Sequence, residues 1–165
     1  MPPRLVVLVG LPGSGKSTWA REQGYNALSS DDIRRVLSDD ANNQSIHGEV
    51  FATLRYLLRR RLELKRPVTC IDATNLTHRE RRPYLAMAQI YGCVAEAVYF
   101  DTPPEVCKQR NRDRDRVVPD EVIGMMAARL RVPTVEEGFS RVTVIAPVDL
   151  PSPAAGPDPR SAPSR

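Results

Sequence analysis

The chain has little of what secreted and membrane proteins carry. It holds three cysteines, Cys70, Cys93 and Cys107, far apart and in no metal-binding spacing. An odd, scattered set argues against a disulfide framework and for free thiols in a reducing, cytoplasmic compartment. No apolar run approaches the roughly 20 residues of a membrane span, so no membrane partner is expected. Met1-Pro2-Pro3-Arg4 leads straight into an apolar run, so no secretory signal is expected either. No internal repeat is visible. What remains is ordinary for a globular protein: 165 residues, 41% hydrophobic, 27% charged. The formal net charge of +4 favours a polyanionic partner only mildly.

One stretch organises the rest. Gly10-Leu11-Pro12-Gly13-Ser14-Gly15-Lys16-Ser17-Thr18 fits the pattern G-x-x-x-x-G-K-[ST]. Before it, Arg4 to Val9 is almost wholly apolar, as a buried strand requires. After it comes a short helix stopped at Gly24. Glycines 10, 13 and 15 let the backbone curl its N–H groups inward onto phosphate oxygens. The helix N-terminus adds partial positive charge. Lys16 is placed to bridge the β- and γ-phosphates of ATP, and the Ser17 hydroxyl to ligate Mg²⁺.

Further along, Tyr25 to Ser29 predicts a second strand, and Ser30-Asp31-Asp32-Ile33-Arg34 opens a helix at its carboxyl end. Ligands of open parallel sheets bind at that edge. One of the two aspartates is expected to cap the helix, leaving Asp31 for chemistry with Arg34 on its face. Ile46 to about Lys65 has helical periodicity, with Arg55, Arg59, Arg60, Lys65 and Arg66 on the other face. Such a run is more often a solvated face than a nucleic-acid ridge. Pro67 to Ile71 predicts a third strand ending at Asp72, which resembles a Mg²⁺-holding carboxylate at a strand tip.

Thr77-His78-Arg79-Glu80 matches a capping box. Pro83 should kink the helix that follows or mark its first turn. His78 reads as an exposed first-turn residue. Val94 to Phe100 predicts a fourth strand, and Thr102-Pro103-Pro104-Glu105 a further helix cap. That helix runs into Arg110-Asn111-Arg112-Asp113-Arg114-Asp115-Arg116, where charge alternates with no apolar anchor. The segment is either a salt-bridged surface helix or a mobile basic lid whose Arg110 and Arg114 reach the γ-phosphate. Val122 to Leu130 predicts a helix and Phe139 to Ala146 a fifth strand. The expected architecture is α/β: a five-stranded parallel sheet with helices on both faces over residues 1–146. Residues 147–165 read as a proline-rich tail or linker.

Together these stretches resemble the kinase domain of the 5′-hydroxyl polynucleotide kinases, from Leu5 to about Val144. Asp31-Asp32-Ile33-Arg34 is similar to the family's acid-x-x-Arg element. The resemblance makes Asp31 the general base and gives Arg34 the acceptor and the transferring phosphate. Asp72-Ala73-Thr74-Asn75 resembles its Asp-x-Thr-Asn loop, and Arg110-Asn111-x-x-Arg114 its lid arginines. Val118, Pro119 and Val122 are similar to the residues that pack against the terminal base. Pro133 with Glu137-Gly138-Phe139 resembles a closing element. The implied reaction is transfer of the γ-phosphoryl of ATP, with Mg²⁺, to the 5′-hydroxyl end of single-stranded DNA or RNA. A fused or associated ligase or phosphatase is the implied partner. The given sequence departs from many members in the aspartates within its lid and in lacking an Asp-x-Asp-Gly stretch, and no second catalytic module is expected in it. A small-molecule kinase acting on a sugar, antibiotic or nucleotide-like metabolite, and a non-catalytic ATP-binding module, are the alternatives.

Overall fold

The structure, a computed structural model, describes residues 1–114 and 117–147. The expected tail, from residue 148 onward, lies outside the described residues, as do Asp115 and Arg116 of the expected lid. Five strands form one sheet: β1 Arg4–Val9, β2 Leu28–Ser29, β3 Val68–Asp72, β4 Val94–Phe100 and β5 Arg141–Ile145. All pair in parallel, in the order β2-β3-β1-β4-β5. Among the described residues six α-helices accompany them: α1 Lys16–Glu22, α2 Ser30–Ser38, α3 His47–Glu63, α4 His78–Ile90, α5 Pro104–Asn111 and α6 Asp120–Arg129.

β1 is the centre because it can bury both faces. Leu5, Val7 and Val9 point into a core with Val50, Leu54, Leu58 and Leu62 of α3 and Tyr84 and Ala88 of α4. Val6 and Leu8 point the other way, against Ala20 of α1, Cys70, Val98 and Phe100. The period-two alternation of one strand thus recruits helices to both faces. A third cluster of Leu11, Leu76, Cys107, Val118 and Ile123 packs α5 and α6 over the carboxyl edge of the sheet.

Element boundaries differ from expectation where side chains have better partners than a ladder. β2 is two residues rather than five. Tyr25 instead closes the turn after α1, its N–H bonding Ala20 O at 3.0 Å and its ring packing edge-on to Trp19. β5 starts at Arg141, because Phe139 drops into the core and Ser140 ties to Ala95 O. Pro83 lies inside α4 and does not mark its first turn, which is fixed by the Thr77–Glu80 capping box. Of the basic face of α3, Arg59 and Arg60 pair with Glu63 while staying about half exposed, and Arg61 beside them donates to Val68 O at 2.8 Å. No helix among the described residues is long and apolar enough to cross a membrane.

Candidate active site

The phosphate loop leaves β1 at the carboxyl edge of the sheet, between the tips of β3 and β4. Its glycines are required by close packing. A Cβ on Gly10 would lie 2.6 Å from Ser14 Oγ. One on Gly13, where φ is +80°, would lie 2.5 Å from the backbone oxygen of Cys107 in α5. Gly15, also left-handed, caps α1. The loop is tied to its surroundings by Gly10 N–H on Thr74 O at 3.0 Å and by Thr102 Oγ on Ser14 O at 3.0 Å. Thr102 was expected to cap α5, but Pro103 holds that position and no side chain caps it.

Lys16 is buried, its ammonium donating to Gly10 O at 2.9 Å and Leu11 O at 2.8 Å. Burial pushes its pKa down to about 8, against the opposing pull of Asp72. A phosphate arriving in the loop would compete with these carbonyls for the ammonium. Ser17 Oγ donates to Asp72 Oδ2 at 2.6 Å, which joins the first turn of α1 to the tip of β3. Among the described residues no group of three or more His, Cys, Asp or Glu side chains could hold a metal ion. The hydroxyl–carboxylate pair fits Mg²⁺, which commonly takes one or two protein oxygens and completes its shell with phosphate and water.

A cleft of about 540 Å³ opens beside this pair, lined among others by Ser17, Asp72, Asp31 and Arg114. Asp31 Oδ2 receives a hydrogen bond from Arg114 Nη2 at 3.1 Å. The expected acid and one of the two expected lid arginines therefore meet across the cleft. Neither Asp31 nor Asp32 is the cap of α2: that role falls to Ser29, whose Oγ accepts from Asp32 N–H at 3.2 Å. Both aspartates sit in the first turn, where the helix dipole favours them. Arg34 is 2% exposed and is not among the residues that line the cleft. Arg110 lies in the last turn of α5, near enough to Cys107 to oppose the burial that pushes that thiol's pKa up.

Asn111 holds the stem of the expected lid. Its carboxamide donates to Val118 O and accepts from Val118 N–H at 3.0 Å. α5 thus ends at Asn111, and Asp113 and Arg114 form turns rather than more helix. Val118 is 5% exposed and belongs to the third core cluster. This burial contradicts its expected role of facing a substrate base. Val122 is partly buried against the same cluster, while Pro119 and Val117 are exposed. Asn75, 4% exposed, has a left-handed φ of 49° and donates to Leu8 O at 2.7 Å, so it holds the loop after β3 rather than a ligand. Thr74 serves through its carbonyl, already described. Pro12 is buried within the loop, and Thr18 is exposed behind Ser17.

Sequence reasoning missed Arg21, Tyr25, Asn26, Arg35 and Asp113, which line the same cleft. Their signal is position only: Arg21 in the last turn of α1, Tyr25 and Asn26 just after it, Arg35 in α2 and Asp113 next to Arg114.

Comparison with known proteins gives a consistent picture. A family model described as "AAA domain" matches residues 5–133. The chain is 28% identical over 147 residues to the bifunctional polynucleotide phosphatase/kinase of Schizosaccharomyces pombe, covering 84% of this chain and 32% of that protein. It is 26% identical over 136 residues to the L-seryl-tRNA(Sec) kinase of Methanococcus maripaludis, covering 78% of this chain and 53% of that protein. The chain thus spans between about a third and a half of these curated relatives. Among solved structures, a chain of a Pnkp1/Rnl/Hen1 complex superposes with a TM-score of 0.57 at 27% identity, covering 66% of this chain and 38% of that one.

Proposed function

Because the chain belongs to the AAA domain family and is a polynucleotide kinase-like P-loop kinase, we propose that it moves the γ-phosphoryl of ATP to the 5′-hydroxyl end of DNA or RNA. The observation that carries the reading is the Asp31–Arg114 contact at 3.1 Å, in the same cleft as the Ser17–Asp72 pair. A carboxylate able to serve as the base and a guanidinium able to meet the transferring phosphate stand together there. Both curated relatives, moreover, are kinases named for nucleic-acid acceptors.

In this reading the loop N–H groups and Lys16 bind the β- and γ-phosphates. Ser17 and Asp72 would hold Mg²⁺, which offsets phosphate charge when bound. Asp31 hydrogen-bonds the acceptor hydroxyl and takes its proton as the new O–P bond forms and the bond to the ADP oxygen breaks. Arg114, given up by Asp31, turns to the equatorial oxygens of the transferring group; Arg110, in the last turn of α5, has the same role by resemblance. Arg34, to which the resemblance gives the acceptor and the transferring phosphate, is buried and outside the cleft lining, so no contact with either is assigned to it. An associated ligase or phosphatase would consume or prepare the end that this chain phosphorylates.

One observation favours a second acceptor class. The cleft lies within the roughly 300–1,000 Å³ range of small-ligand pockets. Its lining sets four carboxylates, Asp31, Asp32, Asp72 and Asp113, among three guanidiniums, Arg21, Arg35 and Arg114, a mixed set that can also hold a hydroxylated small molecule.

The test is label transfer from γ-labelled ATP to one oligonucleotide bearing either a 5′-hydroxyl or a 5′-phosphate. Asp31→Asn and Lys16→Met variants run alongside. Label on the hydroxyl form alone, lost in both variants, establishes the reading. Transfer to small hydroxylated acceptors that 5′-hydroxyl oligonucleotides do not compete with would replace it by the second.

A further inference from the structure

Far along the chain from the phosphate loop, the 3-10 turn Val135–Glu137 carries a carboxylate that makes no contact with the cleft. Glu137 Oε1 accepts from Arg81 Nε at 2.9 Å, and Oε2 from Arg81 Nη2 at 3.1 Å. Both partners are buried, with Arg81 side-chain exposure of 0% and Glu137 of 8%. Burial works against the Glu137 charge, but the Arg81 hydrogen bonds and the Thr134 amide outweigh it and hold the carboxyl below its usual range. His78 Nε2 lies 3.7 Å from the same carboxylate, at the surface.

The pair does more than join two surface elements. The third arm of the guanidinium, Nη1, donates to Asn75 O at 2.8 Å. Asn75 is the left-handed residue whose amide donates to Leu8 O of β1. Its neighbour Thr74 accepts from Gly10 of the phosphate loop. Three residues before Asn75 is Asp72, on Ser17. A non-glycine residue at positive φ costs energy and stays there only when its surroundings hold it. Arg81, aimed by Glu137, is part of what holds it.

We propose that Glu137 is a positioning residue for the nucleotide–metal site. Through Arg81 and Asn75 it fixes the loop after β3, and so the Asp72 carboxylate against Ser17. The inference rests on Ser17 and Asp72 binding Mg²⁺ with nucleotide, and not on the identity of the acceptor. A carboxylate two contacts removed from the ligand then governs metal affinity as outer-shell partners do, by about 10–100-fold.

The experiment is calorimetric binding of ADP, with and without Mg²⁺, to the full chain and to Asp72→Asn, Glu137→Gln and the double variant. The quantity read is the ratio of the two dissociation constants. We expect Mg²⁺ to tighten ADP in the wild type. Glu137→Gln should shrink that gain by about tenfold or more, Asp72→Asn should shrink it as well, and the double variant should show no further loss. Should Glu137→Gln fail to fold, Glu137→Asp keeps the charge that Arg81 needs while shortening the reach, and an intermediate loss is expected. A Glu137 variant that melts earlier yet keeps the full Mg²⁺ gain, or losses that multiply in the double variant, would overturn the positioning role. If Mg²⁺ does not tighten ADP in the wild type, the metal reading of Ser17 and Asp72 fails and takes this inference with it. The acceptor reading is then still decided by label transfer.

Discussion

Replacing Gly13 by alanine tests how tightly the phosphate loop is built against α5, and Gly24→Ala is its control. Both glycines have left-handed φ, +80° and +72°. An alanine there costs about 1–2 kcal/mol in backbone strain at either site. The stiffening of the unfolded chain is also common to both and cancels in the difference. What separates them is space. Nothing lies within 4 Å of a Cβ on Gly24, whereas one on Gly13 would sit 2.5 Å from Cys107 O and 3.3 Å from Asn111 N. Those atoms are helix backbone and cannot rotate away, so α5 or the loop must shift, at about 1–3 kcal/mol more. For a chain of this size each kcal/mol lowers the melting temperature by about 2–4 °C. Thermal melts followed by circular dichroism should therefore show Gly13→Ala losing about 10 °C and Gly24→Ala about 4 °C. Because α5 carries Arg110 and Asn111, Gly13→Ala should also weaken nucleotide binding, which Gly24→Ala leaves alone. Equal losses in the two melts, with nucleotide affinity intact in both, would refute the claim that α5 rests on the loop.

Lys16, with its pKa lowered to about 8 by burial, should gain a proton on meeting a phosphate, since the anion raises that pKa. ATP affinity is then flat below pH 8 and falls above it, by at most about tenfold per pH unit. Calorimetry in two buffers of different ionisation enthalpy should detect the proton uptake, and Lys16→Met should abolish it. Asn111→Ala strips the N–H and carbonyl of buried Val118 of their partners. At about 1–3 kcal/mol per orphaned group, it should cost several degrees of melting temperature along with Arg114-dependent activity. Cys93 is only partly buried, whereas Cys70 and Cys107 are at most 1% exposed. Timed alkylation read by mass spectrometry should modify Cys93 first, and ahead of unfolding.

Much of this molecule can be read from local pattern. The apolar run before Gly10, the G-x-x-x-x-G-K-[ST] spacing and the Thr77–Glu80 box each specify their own geometry within a few residues, and the structure has them where expected. Pairings between distant segments were less legible. That Asp31 meets Arg114, or Ser17 meets Asp72, follows from strand order, which places β3 and not β2 beside β1. Thr102 and Val118 show the limit from the other side. Threonine before two prolines has the composition of a cap, and Val118-Pro119 that of an exposed break. Yet Thr102 is drawn to a loop carbonyl, and Asn111 pulls Val118 into the core. The Glu137–Arg81 contact spans 56 positions, and no periodicity of either segment points to it.

If Asp31 is the base and Arg114 the phosphate cation, as proposed, their contact dictates an order of events. While Arg114 donates to Asp31, both groups are engaged with each other and not with acceptor or phosphate. Nucleotide would draw the guanidinium to phosphate, which removes this one contact from the carboxylate that is to meet the acceptor hydroxyl. The two side chains are 31% and 24% exposed, so the contact is worth no more than about 1 kcal/mol. ATP should therefore tighten acceptor binding by up to about fivefold, and the acceptor should tighten ATP by the same factor. Anisotropy of a labelled 5′-hydroxyl oligonucleotide, with and without a non-hydrolysable ATP analogue, measures the coupling. In Arg114→Ala the acceptor should bind without nucleotide at least as well as to the wild type, and the coupling should vanish. Coupling that persists undiminished in Arg114→Ala would show that nucleotide prepares the acceptor site by some other route, and the gating role of this ion pair would have to be abandoned.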